Sequence, residues 1–206
     1  VGKFKQIIAE GTPVVMFDRI ADDVDCDKVV VDDFESAVHA MQHLLATGAK
    51  KIALLSSIDN LSVGKLRAKG YYDALKKNGV KQDDALVLIT DNADDFDTRF
   101  RALIDEQKID GVFALDEHAS VSAMKQALKK GYKIPEDLQL IGFADGVWSR
   151  RLNPSLSTVS QHGPEIGEAA TKLLIDRLEY RGEDEEPFRT TVIKTELRQR
   201  ESTRKL

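Results

Sequence analysis

Ile134-Pro-Glu-Asp-Leu-Gln-Leu-Ile-Gly-Phe143 decides the architecture of this chain, together with the two segments that follow it, Asn153-Pro-Ser-Leu-Ser-Thr-Val-Ser-Gln161 and Ile166-Gly-Glu-Ala-Ala-Thr-Lys-Leu-Leu-Ile-Asp-Arg-Leu178. The first segment ends in an apolar run of strand length. The second is a long crossing segment, and the third carries apolar residues at helical spacing. That order is expected of a chain that leaves one α/β lobe and re-enters another.

Working outward, short apolar runs alternate with helical patterns of about a dozen residues, which predicts βαβ units and a mostly parallel sheet. The predicted strands cover residues 14–17, 52–56, 86–89, 112–115 and 138–143. Ile52-Ala-Leu-Leu55 has no polar alternation, so helices are expected on both of its faces. Between the strands, Ala37, Met41, Leu44 and Leu45 mark one helix, stopped by Gly48. Leu66, Tyr71, Ala74 and Leu75 mark another, stopped by Asn78-Gly79. Phe96, Phe100, Leu103 and Ile104 mark a third, with Asp94 and Asp95 as cap-capable residues ahead of it. Val121, Met124, Ala127 and Leu128 mark a fourth, ended at Gly131. The last helix, over residues 166–178, starts after Gly163-Pro164 and ends near Gly182, in keeping with the preference for proline at helix starts and glycine past helix ends.

The expected division is a first lobe of residues 1–30 and 161–184 and a second of residues 31–160 and 185–206. So divided, the first lobe owns essentially one strand, which cannot form a sheet alone. Further upstream strands are therefore expected to complete it. Glu183-Asp-Glu-Glu186 reads as a solvated acidic loop.

Composition narrows the function. A chain of 206 residues with 42% hydrophobic and 32% charged residues reads as a globular domain with an ordinary core. Its single cysteine, Cys26, excludes an internal disulfide and fits a reducing compartment such as the cytoplasm. The net charge of −5 is spread without a basic stripe, so these residues alone are not expected to bind DNA. No apolar run is long enough for a transmembrane helix.

With the terminal Thr195-Glu-Leu-Arg-Gln-Arg-Glu-Ser-Thr203, these segments resemble the effector-sensing domain of lactose/galactose-repressor-family transcription regulators. The resemblance implies an α/β, two-lobe, periplasmic-binding-protein-like sensor with parallel sheets flanked by helices, its first lobe incomplete in this chain. It also implies a small-molecule effector, a sugar or derivative, held in a cleft between the lobes. A homodimer is implied, with DNA bound only through an N-terminal helix-turn-helix domain that these residues lack. No catalysis and no cofactor are implied. The alternatives are an exported solute-binding protein of a sugar transporter, which shares the architecture, and a sugar-processing enzyme.

Ligands of open α/β sheets sit beyond the carboxyl ends of the strands, and five such ends are readable here. Arg67 lies on the inward face of its helix, near the end that follows a strand, where a guanidinium can fork onto hydroxyls or a carboxylate. Spacing equally allows a structural pairing with Asp59 or Asp116. In the family, the stretch matching Lys65-Leu-Arg67-Ala-Lys-Gly-Tyr71 contacts the effector through its second basic residue. Asp18-Arg19 resembles an Asp-Arg pair at the end of the first lobe's strand, though Asp18 also suits a backbone-bonded turn. Gln161 matches a cleft glutamine at the return crossing, and His162 is either a hinge residue or a neutral buried histidine. Asp116 and Asp145 match family residues as well, and Asp116 serves equally well as a helix cap. Two departures stand out, Leu115 where an asparagine is common and Ala144 where an acid is common. Neither side chain can hydrogen-bond a hydroxyl.

Trp148-Ser-Arg-Arg151 has the composition of a protein interface, and the resemblance puts it near the family's dimer contact. Trp148, Arg150 and Arg151 are the candidate interface residues, with a tryptophan tucked under its own loop as the alternative. His39 and His43 have helical i, i+4 spacing but no third metal ligand in view, so no metal site is expected. Phosphate-binding glycine loops and a nucleophile elbow are absent from the sequence.

Overall fold

The computed structural model describes residues 1–180 and 186–206. The chain divides into two compact units, unit 1 (Val1–Asp32 with Gln161–Lys194) and unit 2 (Asp33–Ser160 with Thr195–Leu206).

Unit 2 is a doubly wound sheet. Its strands are β3 (Ile52–Ser56), β4 (Val87–Ile89), β5 (Gly111–Ala114), β6 (Gln139–Phe143), β7 (Ser157–Ser160) and β9 (Glu196–Arg198), in the order β4-β3-β5-β6-β7-β9. All pairs are parallel except β7 with β9. β3, β5 and β6 are buried at every residue, as strands covered on both faces must be. One apolar layer packs Phe96, Phe100, Ile104, Met124 and Leu140. The other packs Met41, Leu44, Tyr71, Phe113 and Phe143.

The helices of unit 2 follow the punctuation of the sequence. α2 (Asp33–Ala46) ends at Gly48, which adopts φ +94° while Ala49 N–H reaches back to the Leu44 carbonyl. α3 (Ser62–Lys77) crosses α2 at Gly70, where an added Cβ would lie 2.6 Å from the Ala37 Cβ and 2.7 Å from the Phe34 carbonyl oxygen. α4 (Ala93–Gln107) is capped by Asn92, which accepts from Asp95 N–H, rather than by the aspartates that follow it. α5 (Glu117–Lys129) is capped by Asp116. The short α6 (Val147–Arg151) precedes β7.

Unit 1 corrects the expectation of a single strand. β1 (Val15–Phe17), β2 (Asp27–Val31) and β8 (Thr190–Ile193) form a parallel sheet in the order β1-β2-β8. Residues 186–194 therefore fall in unit 1, not in the second lobe, because β8 pairs with β2. The boundary expected at 184/185 and the helix end expected at Gly182 lie outside the described residues, as do residues 183–185 of the acidic loop. α7 (Gly163–Glu179) packs Ile166, Ala170 and Leu173 on Val29 and Val31, with Pro164 in its first turn. α1 (Gly2–Ala9) contributes Ile8 to a cluster with Met16, Val24 and Cys26.

The last turn of α7 is tied to the start of β2 by a salt bridge. Arg177 donates to both oxygens of buried Asp27, and Asp27 also accepts from the Arg189 backbone N–H. Burial alone would raise the Asp27 carboxyl, but these donors and the two cationic side chains hold it below its ordinary range.

Candidate functional site

In unit 2 the sheet order reverses direction between β3 and β5, the topological switch point at which ligands of such sheets bind. Asp116 bridges that point. Its Oδ2 accepts from Ser57 N–H, beyond β3, at 2.8 Å, and its Oδ1 accepts from Ala119 N–H, at the start of α5, at 2.8 Å. Both oxygens being occupied, Asp116 orders the rim of the sheet. The 57–61 loop is pressed close against α3, since a Cβ on Gly64 would stand 2.0 Å from the Ile58 carbonyl oxygen.

Arg67 lies directly beneath. It is 3% exposed, donates from Nε to Asp33 Oδ1 at 2.7 Å and from an η nitrogen to the Leu115 carbonyl at 2.8 Å, and stacks on the Phe143 ring with its central carbon 3.8 Å from the centroid. Its acid partner is Asp33, neither Asp59 nor Asp116. A pair this deeply buried persists only with its remaining groups satisfied, and the carbonyl and ring supply that. Leu115, one of the two departures from the family pattern, thus reads out through its backbone. Ala144, the other, sits just past β6 with φ +71°, a conformation unfavourable for alanine.

Asp145 follows and is a hub. Its Oδ1 accepts from Ser149, Thr158 and Arg200, and its Oδ2 from Arg150 and Arg198. Burial by itself would raise this carboxyl; the Arg200, Thr158 and Ser149 donors drive it far below the usual carboxylate range. Asp145 therefore fastens the 144–151 loop to β7 and β9. Trp148, on that loop, is 63% exposed, so it is not tucked under its own turn. Arg150 and Arg151 are exposed beside it.

One group here has no counterpart in the sequence reading. Glu117 follows Asp116 and packs on Gly146, and its Oε1 is buried with no hydrogen-bond partner among the described residues. Its only signal in the sequence is adjacency to Asp116. His118 is exposed next to it.

In unit 1 the carboxyl end of β1 carries Asp18 at φ +57°. Gln161 Nε2 donates to Asp18 Oδ1 at 3.2 Å, and Arg19 Nε lies 3.9 Å from Oδ2. Asp18, Arg19 and Gln161 are thus brought together, with Asp18 and Arg19 substantially open to solvent. His162, also in the left-handed region at φ +53°, places Nδ1 3.3 Å from Glu165 Oε1. Of the four non-glycine residues with positive φ among the described residues, Asp18, Ala144 and His162 each follow a strand's carboxyl end. Such strain collects at functional sites.

His39 is exposed and His43 buried, and no group of three or more metal-capable side chains occurs among the described residues. No helix among them is long and apolar enough to cross a membrane.

Comparison with known proteins gives this geometry its lineage. The model of the periplasmic binding protein-like domain matches residues 41–203. This chain belongs to that family. Its curated relatives are HTH-type transcriptional regulators and repressors. One is the HTH-type transcriptional regulator CelR of Thermobifida fusca, 31% identical over 84% of this chain and 51% of the relative. Another is the HTH-type transcriptional repressor CytR of Escherichia coli K12, 28% identical over 81% of this chain and 50% of the relative. Among solved structures, a complex of the transcriptional regulator CelR with cellobiose superposes with a TM-score of 0.84, at 28% identity, over 95% of this chain and 60% of that one. The chain spans about half the length of the curated relatives it matches.

Proposed function

We propose that this chain is the effector-sensing part of a repressor-type transcription regulator, and that a small metabolite, a sugar or derivative, is read by side chains at the carboxyl ends of its strands. The observation that carries the reading is in unit 1, where Asp18 follows β1 in left-handed backbone, accepts from Gln161, and with Arg19 offers hydrogen-bonding groups open to solvent; in unit 2, separately, Ala144 holds left-handed backbone just past β6. Within unit 2, Arg67 is buried under the switch point with its charge balanced by Asp33, and holds the end of β5 in place through the Leu115 carbonyl. Both oxygens of Asp116 and of Asp145 accept from internal donors, and the two residues act by holding the loops that shape the site. That the relatives are regulators supports this reading over an exported solute-binding protein or a sugar-processing enzyme.

DNA binding belongs, in this proposal, to an N-terminal helix-turn-helix domain of the kind the relatives' names describe. The exposed Trp148 with Arg150 and Arg151 is the proposed contact of a homodimer, since a rigid aromatic flanked by arginines has the makeup of an interface centre. Effector then acts through its differential affinity for two conformational states, the only means by which a ligand shifts an equilibrium.

The test is a melting assay of the protein against mono- and disaccharides, cellobiose included, followed by calorimetry on any compound that raises Tm. One compound is expected to bind saturably and unchanged by incubation, with affinity falling in Asp18→Asn and in Arg67→Lys. Turnover of that compound, or no saturable binding across the panel, overturns the reading. For the dimer, sedimentation of Trp148→Glu is expected to shift the protein toward monomer; an unchanged sedimentation coefficient removes that loop from the interface.

A further inference from the structure

The opposite, amino-terminal edge of the unit 2 sheet carries a second hollow that the effector reading does not use. It measures about 310 Å³ and lies where β3 and β4 begin, under the loop that follows α3. That volume is at the lower end of the range of small-molecule sites, roughly 300–1,000 Å³. Its floor is apolar, made by Ile52, Leu75, Val80 and Leu86. Its rim is cationic, made by Lys50, Lys51 and Lys81, with Gln82 beside them.

Among the described residues, no side-chain ion pair ties the lysines down. Asp110, outside the lining, accepts from the backbone N–H groups of Lys50 and Lys51 at 2.7–3.0 Å and forms no ion pair with either side chain. Asp83, the single acid lining the hollow, accepts from Ala85 N–H. Lys51 Nζ reaches Gln107 Oε1 at 3.4 Å, and none of the three lysines forms an ion pair among the described residues. On a chain of net charge −5, the lining of this hollow holds three lysines and a single acid around an apolar floor. Tyr71 closes the back of the hollow, its hydroxyl committed to the Ile52 carbonyl at 2.8 Å.

We infer that this hollow is a second ligand site, for a small anion with an apolar body: a carboxylate or phosphate head on Lys50, Lys51 and Lys81, and the apolar part against Ile52, Leu75, Val80 and Leu86. Lysine is suited to such heads as a mobile point charge, and the floor rewards burial of the remainder. The site is independent of the effector reading, because it lies at the other end of the strands and shares no residue with it.

Backbone amide NMR on the protein, titrated separately with phenyl phosphate, benzoate and neutral benzyl alcohol, tests the inference. Saturable shifts are expected at Lys50, Lys51, Ile52 and residues 80–83 with at least one anion, and the better of the two anions tells phosphate from carboxylate. Benzyl alcohol is expected to bind about tenfold more weakly or worse, and K50Q/K81Q, two exposed substitutions, to weaken the anion by about tenfold. Absence of saturation with both anions overturns the proposal. So does an unchanged affinity in K50Q/K81Q, equal binding of benzyl alcohol, or shifts spread over lysines elsewhere on the surface.

Discussion

In unit 2 the central strands β3, β5 and β6 are buried at every residue, whereas in unit 1 β2 alternates between buried and half-buried and β8 lies largely open. Phe17, Ile175, Leu178 and Val192 of unit 1 are exposed as well. The difference teaches where stability resides and where the proposed ligand-reading groups lie. Unit 2 has helices on both faces of a six-stranded sheet and supports a buried ion pair at its switch point. Unit 1 has, among the described residues, three strands, a smaller core, and hydrogen-bonding groups at the end of β1.

The sharpest way to break that comparison is to cut each core. Phe113→Ala removes a fully buried ring between β5 and the α2–α3 layer and is expected to cost unit 2 about 3–5 kcal/mol. Val29→Ala, at the centre of the unit 1 core, is expected to cost about 2 kcal/mol. Urea unfolding followed by hydrogen exchange, resolved by unit, measures both. Equal loss of protection in both units from either substitution would show that they unfold as one.

The buried carboxylates sharpen it further. Asp33→Asn leaves the Arg67 guanidinium buried without its counter-charge and is expected to destabilise unit 2 by roughly 3 kcal/mol. Asp27→Asn in unit 1 is expected to cost less, since Arg177 is partly exposed and keeps the Glu186 and Pro187 carbonyls as acceptors. Denaturation midpoints at constant m-value decide the order, and a larger loss from Asp27→Asn would reverse it.

A third substitution acts on packing alone. Gly70→Ala puts a methyl group against Ala37 and the Phe34 carbonyl, so α2 and α3 must separate, at a cost of about 1–3 kcal/mol. Gly167→Ala, on α7 of unit 1, meets nothing within 4 Å and is expected to be neutral or slightly stabilising. A tolerated Gly70→Ala would mean that the two helices are less closely held than their geometry shows.

The same contrast explains what could be read from the residues. Strands such as Ile52–Ser56 announce themselves because burial on both faces demands an unbroken apolar run. β7 is just as buried but reads Ser157-Thr-Val-Ser160, the Ser157 hydroxyl being met by Thr203, the Thr158 hydroxyl by Arg200 and Asp145, and the Ser157 backbone N–H by the Ser202 hydroxyl. β8 alternates in exposure and pairs with a strand some 160 residues earlier, so nothing local marks it. At the site, capping by Asp116 was legible from a helix start, and Asp18 from a strand end. The partner of Arg67 was not, because Asp33 is 34 residues away in sequence and opens another helix. Glu117 gave no signal at all beyond its neighbour.

The smallest expected effect separates the units by pH. His43, in the last turn of α2, is buried and neither ring nitrogen has a hydrogen-bond partner among the described residues. Burial pushes its pKa below the ordinary value of 6.5, with the nearby Arg204 backbone, outside hydrogen-bonding geometry, pulling weakly the other way. A histidine whose folded pKa is depressed binds its proton first in the unfolded chain. Unit 2 therefore keeps this contribution above the ordinary histidine range and loses it as pH falls through that range toward the folded pKa. Asp27 of unit 1 is also depressed, but from 3.8, so its contribution persists until the pH drops into and below the carboxylate range. Between about pH 7 and 5, hydrogen exchange should show unit 2 weakening while unit 1 holds. His43→Leu, which fills the site with an apolar side chain, should flatten the unit 2 profile over that interval. Retention of the same slope in the variant would assign the pH dependence to another group.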